Sequence, residues 1–286
     1  MQTRVLPPET VVVGVDTSAS ARDAAEWAAD VAAAGNGPLH LVHAVPGWPD
    51  DAPLPHDAAW LRELADAAER TGVRTVDTEV VPGGIVATLL NRATGARLLV
   101  VGSYGEAAWT GMLAGSLAVA LIDRARCPVA VVRGSAPQVP PPRRGPFVVG
   151  VDGSEASLAA LDLAAELATS LGGRLVAVHA TDEPTAGPVE VQLANLRLRH
   201  PALSIELRSV EGTALSALGE QAHHARLLVV GRHRAQASGD VVLGATGRGL
   251  IESAPCPVVV AAHPHRGLRD PGAGSGQPSA DGHAPR

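Results

Sequence analysis

Short runs of Val and Leu alternate along this chain with longer Ala-rich stretches whose apolar positions recur at helical spacing. In the first half the pattern predicts strands near Val11–Val15, Leu39–Val45, Thr75–Val81, Leu98–Gly102 and Val129–Val132. It predicts helices near Ser20–Ala34, Asp57–Arg70, Ile85–Ala93 and Ser116–Ala125. Runs apolar at successive positions are buried on both faces, and regular strand–helix alternation builds a parallel sheet covered by helices on each side. The expectation is an α/β domain with a five-stranded parallel sheet.

The pattern then returns. Residues 11–18, Val-Val-Val-Gly-Val-Asp-Thr-Ser, come back as 147–154, Phe-Val-Val-Gly-Val-Asp-Gly-Ser. Leu-Val-His-Ala at 41–44 matches Ala-Val-His-Ala at 177–180, and Arg-Leu-Leu-Val-Val-Gly at 97–102 is repeated at 226–231. Cys-Pro-Val-Ala-Val-Val at 127–132 matches Cys-Pro-Val-Val-Val-Ala at 256–261. Matching blocks in the same order mean a duplicated domain. The expected organisation is a first domain over 1–134, a connector over 135–145 stiffened by Pro137, Pro140, Pro141 and Pro142, and a second domain over 146–262. The tail, 263–286, has little to bury and is expected to be disordered; its His263 and His265 lack the further ligands of a metal site. In the second copy the helix near Val189–Arg199 is expected to be shorter and weaker than its counterpart, ending at His200-Pro201.

Composition narrows the picture. A length of 286 residues suits two domains, and 46% hydrophobic with only 2% aromatic residues means cores of Val, Leu and Ala. No apolar run approaches the roughly 20 residues of a bilayer span, and residues 1–10 hold no stretch of signal-peptide length. The expectation is a cytoplasmic protein with no membrane partner. A net charge of −6 argues against general nucleic-acid affinity. Cys127 and Cys256 stand at equivalent places before a proline and a strand, and read as small buried residues rather than a redox pair.

In an open parallel sheet, ligands bind beyond the carboxyl ends of the strands where strand order reverses. There the first copy places Gly14-Val15-Asp16, His43-Ala44 and Gly102-Ser103-Tyr104-Gly105, followed after nine residues by Gly115-Ser116 at the start of the fourth helix. A helix N-terminus offers unpaired N–H groups, and glycines let the backbone approach an anion. Ser116 adds a hydroxyl, and Asp16 can accept from a ribose hydroxyl or an adenine amino group. Taken singly, each has a plainer role: Gly102 and Gly105 as turn formers, Gly115 as a packing glycine, Asp16 as a helix cap. Their combination at one sheet edge points to a nucleotide.

Gly102-x2-Gly105-x9-Gly115-Ser116, with its flanking Leu-Leu-Val-Val-Gly-Ser and Cys-Pro-Val-Ala-Val-Val, resembles the ATP-binding signature of universal stress proteins. The Gly-Val-Asp opening and Val-His-Ala strand are similar too, and the likeness covers both halves. The resemblance implies two tandem flavodoxin-like, Rossmann-like domains with strand order 3-2-1-4-5 and ATP, carrying Mg2+ on its phosphates, at the switch point. It implies that Gly14 and Asp16 meet the nucleoside, that the Ala44 backbone reads the adenine edge, and that Gly102, Ser103, Gly105, Gly115 and Ser116 hold ribose and phosphates. It also implies pairing through the last strands, Val129–Val132 with Val258–Val260, within one chain or in a homodimer.

The second copy departs from the signature. Gly150, Asp152, Ala180, Gly231 and Gly244 stand in place, but Arg234 replaces the inner glycine and Ala245 the hydroxyl residue. Arg234 takes positive φ only at a cost, although its guanidinium can also approach a phosphate. The expectation is a weak second site.

Little here supports turnover. The chain has no lysine, which rules out a Walker loop, and the Ser-Gly-Gly-x-Asp-Ser loop of ATP pyrophosphatases is missing. Glu106 reads as a solvated loop acid, and His43 and His179, inside apolar strands, as hydrogen-bonded structural residues. His223 and His224, taken to lie on a helix, cannot both face one ligand. No spacing matches a zinc set. The leading expectation is a regulatory ATP-binding module; the alternative is a slow ATPase or nucleotide-transfer enzyme.

Overall fold

Ser18 opens the first helix because its side-chain oxygen accepts from the Ala21 N–H, and Ser154 does the same for Ser157 N–H in the second half. Around these starts the computed structural model describes residues 6–48, 59–103, 116–136, 139–181, 187–234 and 241–262. The first half runs β1 (Val11–Gly14), α1 (Ala19–Ala34), β2 (Leu39–Val45), α2 (Ala59–Arg70), β3 (Val76–Pro82), α3 (Ile85–Arg92), β4 (Leu98–Gly102), α4 (Ser116–Arg124) and β5 (Val129–Val132). The second runs β6 (Phe147–Gly150), α5 (Glu155–Ser170), β7 (Leu175–Ala180), α6 (Pro188–Arg199), β8 (Ile205–Val210), α7 (Ala214–Ala222) and β9 (Leu227–Val230). It continues through β10 (His233–Arg234), β11 (Val241–Val242), α8 (Ala245–Ser253) and β12 (Val258–Val260).

The strands join into one sheet of ten, ordered β3-β2-β1-β4-β5-β12-β9-β6-β7-β8. Each half has the expected α/β order, parallel within itself. The halves meet where β5 and β12 pair antiparallel, Val131 opposite Val258 and Val129 opposite Val260, so the sheet as a whole is mixed. Alternate strand residues feed two apolar layers. Val11 and Val13 pack with α1, α2, α5 and α6 on one face, and Val12, Leu99 and Val101 with α3, α4, α7 and α8 on the other. Both layers draw on both halves, so the two copies share their cores across the seam.

Three readings of the sequence change here. First, α6 has 12 residues, the same number as α2 has among the described residues; Pro188 at its first turn starts it one residue early. Second, His223 and His224 are not on a helix. α7 stops at Ala222, and both imidazoles are exposed in the turn that leads into β9. Third, the loop holding Arg234 contains a short antiparallel ladder, Arg234 opposite Val241, that no apolar run announces. Arg234 is therefore extended, and among the described residues only Asn36 is a non-glycine with positive φ. The strain expected of an arginine in a glycine turn does not arise, because the backbone takes another route.

Cys127 and Cys256 are free, buried thiols in one apolar layer. Burial pushes them up to about 11 and about 12 respectively. Tail residues 263–286, with His263 and His265, lie outside the described residues.

Candidate functional site

The first half opens a cavity of about 90 Å³ at the carboxyl end of its sheet, between β1 and β4, where strand order reverses. Gly14, Asp16, Ala44 and Gly102 lie in its wall together with Ser18, His43, Leu89 and Leu117.

Asp16 does not cap α1 itself. Its Oδ1 accepts the Ser18 N–H at 3.0 Å, which fixes the turn into α1, and Ser18 supplies the cap. The Ser18 hydroxyl also donates to that Oδ1, at 2.5 Å, so both bonds fall on one oxygen of a carboxylate that has about four lone-pair positions. Ala44 is set by strand alternation. The Val42 carbonyl accepts from Val15 of the β1 side, and the Val45 carbonyl from Gly83 of the β3 side. Ala44 therefore turns its N–H and C=O to the same side as Val42, where β1 has already left the sheet. A planar ligand edge can pair there.

The glycines serve close packing. A Cβ on Gly14 would lie 2.7 Å from Leu89 Cδ1, and one on Gly102 would lie 2.7 Å from the Ser20 carbonyl oxygen. Gly102 thus lets β4 pass against the first turn of α1, and needs no positive φ to do so. Ser103 follows, its N–H donating to the Val132 carbonyl at 3.1 Å. Ser116 is exposed at the first position of α4, and Leu117 beside it lines the cavity. Tyr104, Gly105, Glu106, Trp109 and Gly115 lie outside the described residues.

His43 donates through Nδ1 to the Val15 carbonyl at 2.8 Å and packs edge-on against Trp60, ring centres 5.1 Å apart. His179 makes the equivalent bond to Val151 at 2.8 Å. Each imidazole thereby pins strand two to the end of strand one. Behind the wall, Arg92 of α3 clasps Glu79 of β3 through two bonds of 2.7 Å, which raises the Arg92 pKa and anchors the helix carrying Ile85 and Leu89.

The second half has a cavity of about 150 Å³ at the equivalent edge, lined by Gly150, Asp152, Ala180, Gly231 and Gly244 among others. Asp152 accepts the Ser154 N–H at 2.9 Å, as Asp16 does from Ser18. A Cβ on Gly231 would sit 2.4 Å from the Ala156 carbonyl oxygen. Gly244 is the N-cap of α8, and no side chain caps that helix start. One residue beyond the missing hydroxyl at Ala245, Thr246 lines the cavity.

The wall residues Ile85, Leu89, Leu117, Ser157 and Thr246 did not stand out in the sequence. Gly14 and Gly150 were the available signal: a glycine ending an apolar strand implies a neighbour too close for a Cβ. Among the described residues no group of three or more His, Cys, Asp or Glu gathers as for a metal. No described helix is long and apolar enough to cross a membrane.

Known proteins share this fold. Residues 8–133, 144–208 and 188–262 match the model of the Universal stress protein family. Universal stress protein Rv2623 of Mycobacterium tuberculosis H37Rv is 33% identical over 285 residues, covering 88% of this chain and 95% of that protein. Universal stress protein Rv2005c of the same strain is 31% identical over 288 residues, covering 88% and 96%. A crystal structure of a universal stress protein from Archaeoglobus fulgidus DSM 4304 superimposes with a TM-score of 0.71 at 18% identity, covering 89% of this chain and 98% of that one, a likeness of fold. A duplicated α/β unit with a cavity at each switch point, matched almost end to end by relatives of the same tandem length, belongs to the universal stress protein family.

Proposed function

We propose that the first cavity binds ATP and that the chain is a nucleotide-dependent regulatory module of the stress response, acting in the cytoplasm without efficient turnover. The observation that carries this reading is a convergence at one strand-order reversal. The Asp16 carboxylate, the Ala44 backbone edge and the bare Gly102 backbone meet beside the end of α4 that Ser116 opens. In this reading Asp16 accepts from the nucleoside, Ala44 pairs with the adenine edge, and the phosphates run from Gly102 and Ser103 to the N–H groups of α4. The unpaired amides and positive dipole end of a helix start suit a phosphate chain better than a neutral ligand. Mg2+ would come with the ATP and offset part of the phosphates' negative charge, with Asp16 the one carboxylate among the described residues that line the cavity.

Phosphoryl transfer needs a metal-holding carboxylate, a group that positions the nucleophile and a cation on the developing charge. Among the described residues lining the first cavity, Asp16 is the one carboxylate and there is no arginine. The sequence has no lysine to serve as that cation, and ATP is read as a signal held rather than a substrate consumed. The antiparallel seam makes the two domains a pair within one chain, and nucleotide occupancy acts on that pair.

Mass spectrometry of small molecules released from freshly purified, denatured protein tests the reading: ATP is the expected species. Calorimetry should give tighter binding for ATP than for AMP. Equal affinities would remove the phosphate cradle, and multiple-turnover phosphate release at roughly 1–100 per second would make the chain an enzyme.

A further inference from the structure

The residue after Gly231 reaches across the seam. Arg232 is only 4% exposed, and its guanidinium lies against the first half's α4. Nη1 donates to the Ile122 carbonyl and, at 2.9 Å, to the Ala125 carbonyl; Nε donates to the Ala261 carbonyl at 3.3 Å. Ile122 is in the last turn of α4 and Ala125 lies just past its end. These are the carbonyls that a helix leaves without intrahelical partners, at the negative end of its dipole. A buried guanidinium bonded to them sets where the helix stops along its own axis.

The other end of that helix is the first cavity. α4 has 9 residues, from Ser116 to Arg124, and at about 1.5 Å per residue Arg232 grips it roughly 13 Å from the proposed phosphate position. A second tie crosses the seam at the same end: Asp123 accepts from the Leu243 N–H at 3.2 Å and from Arg248 Nη2 at 3.4 Å. Both fourth helices are held this way across the seam, but from different positions. The position equivalent to Arg232 in the first half is Ser103, which has no guanidinium. The last carbonyls of α8 instead receive Arg133 from beyond β5, whose Nη1 donates to Ile251 at 3.0 Å and Glu252 at 2.7 Å.

We propose that Arg232, a residue of the second domain's altered glycine loop, is a positioning residue for phosphate binding in the first domain. It holds α4 by its C-terminal carbonyls so that the amides around Ser116 meet the anion. The second loop, having lost its signature, thereby serves the neighbouring site. The inference rests on the nucleotide reading of the first cavity and adds a residue from the other half of the chain.

The test compares ATP with adenosine, which lacks the phosphates, in the full-length chain. All 4 tryptophans are in the first half, so tryptophan fluorescence follows the first cavity. Arg232→Gln should weaken ATP by about fivefold to thirtyfold while adenosine stays within about twofold, and Arg232→Lys, which keeps the charge, should recover part of the loss. A purely structural role would lower both ligands by the same factor, and that result, or unchanged ATP affinity, overturns the proposal. If the unmodified chain binds neither ligand, the nucleotide reading fails and takes the proposal with it. Should Arg232→Gln not fold by thermal unfolding, Arg232→Lys decides: a selective ATP loss of about twofold or more supports the role, and parallel or absent losses refute it.

Discussion

The two cavities occupy the same place in repeated folds, and their walls differ more than their frames. Ile85, Leu89 and Leu117 crowd the first, where the second has Ala214, Leu218 and Thr246. Ala21 faces Ser157 across the comparison, and the volume rises from about 90 to about 150 Å³. The frame is constant: Asp16 and Asp152 fix their turns alike, and His43 and His179 pin the same strand ends. Loss of the signature at Arg234 and Ala245 therefore leaves a cavity standing. On the phosphate side the second half has a short ladder, Arg234 opposite Val241, and Arg232 turns to the neighbouring helix. The existence of the cavity depends on the sheet and not on the signature, since Gly150, Asp152 and Ala180 line it without Gly105 or Ser116 equivalents.

The comparison breaks most readily at the paired aspartates. Asp16→Ala should cost ATP binding about 1–3 kcal/mol, roughly fivefold to 150-fold, because a nucleoside donor loses its acceptor. Asp152→Ala should leave the tight site untouched. Calorimetry giving equal losses for the two would make the halves equivalent binders.

Where the frames agree, the effects should agree. Gly102→Ala and Gly231→Ala each drive a Cβ into a backbone carbonyl, of Ser20 and Ala156 respectively. Each should destabilise the fold by about 1–3 kcal/mol in urea unfolding. A harmless Gly231→Ala would mean that α5 packs more loosely on β9 than α1 does on β4.

The thiols give a matched pair of pH effects. Both cysteines are raised above the ordinary value by burial, to about 11 and about 12. An acid whose folded pKa is raised contributes stability below its unfolded pKa and loses it as pH rises. The unfolded chain gives up these protons first, so stability should fall from near pH 9 up to the folded values. Cys127→Ala combined with Cys256→Ala should flatten that alkaline limb; an unchanged limb would assign it to other groups.

The smallest effect is expected from repairing the signature. Arg234→Gly with Ala245→Ser should improve ATP binding in the second half by less than about tenfold. No backbone strain is there to relieve, and one hydroxyl to an anion contributes roughly 1 kcal/mol. A larger gain in calorimetric stoichiometry or affinity would show that the ladder from His233 to Val242 obstructs the cavity.

The duplication, the α/β order and the main strands were legible in the sequence because each rests on local pattern: a run of Val, a helical period, a block that returns. Asp16, Ala44 and Gly102 could be named for the same reason, since strand ends in a parallel sheet gather at one edge whatever the side chains. The cavity walls were not legible. Leu89 and Leu117 look like any core leucine until α3 and α4 are laid over the sheet, and Arg234 looked strained only while a glycine turn was assumed. The ties across the seam were further from reach. Arg232 meets Ile122 over 110 residues of chain, and Asp123 meets Leu243 over 120. Carbonyls at a helix end carry no residue identity, so a sequence cannot say which guanidinium will find them. That depends on which helix ends the antiparallel β5–β12 pairing brings opposite one another, and tertiary structure alone decides it.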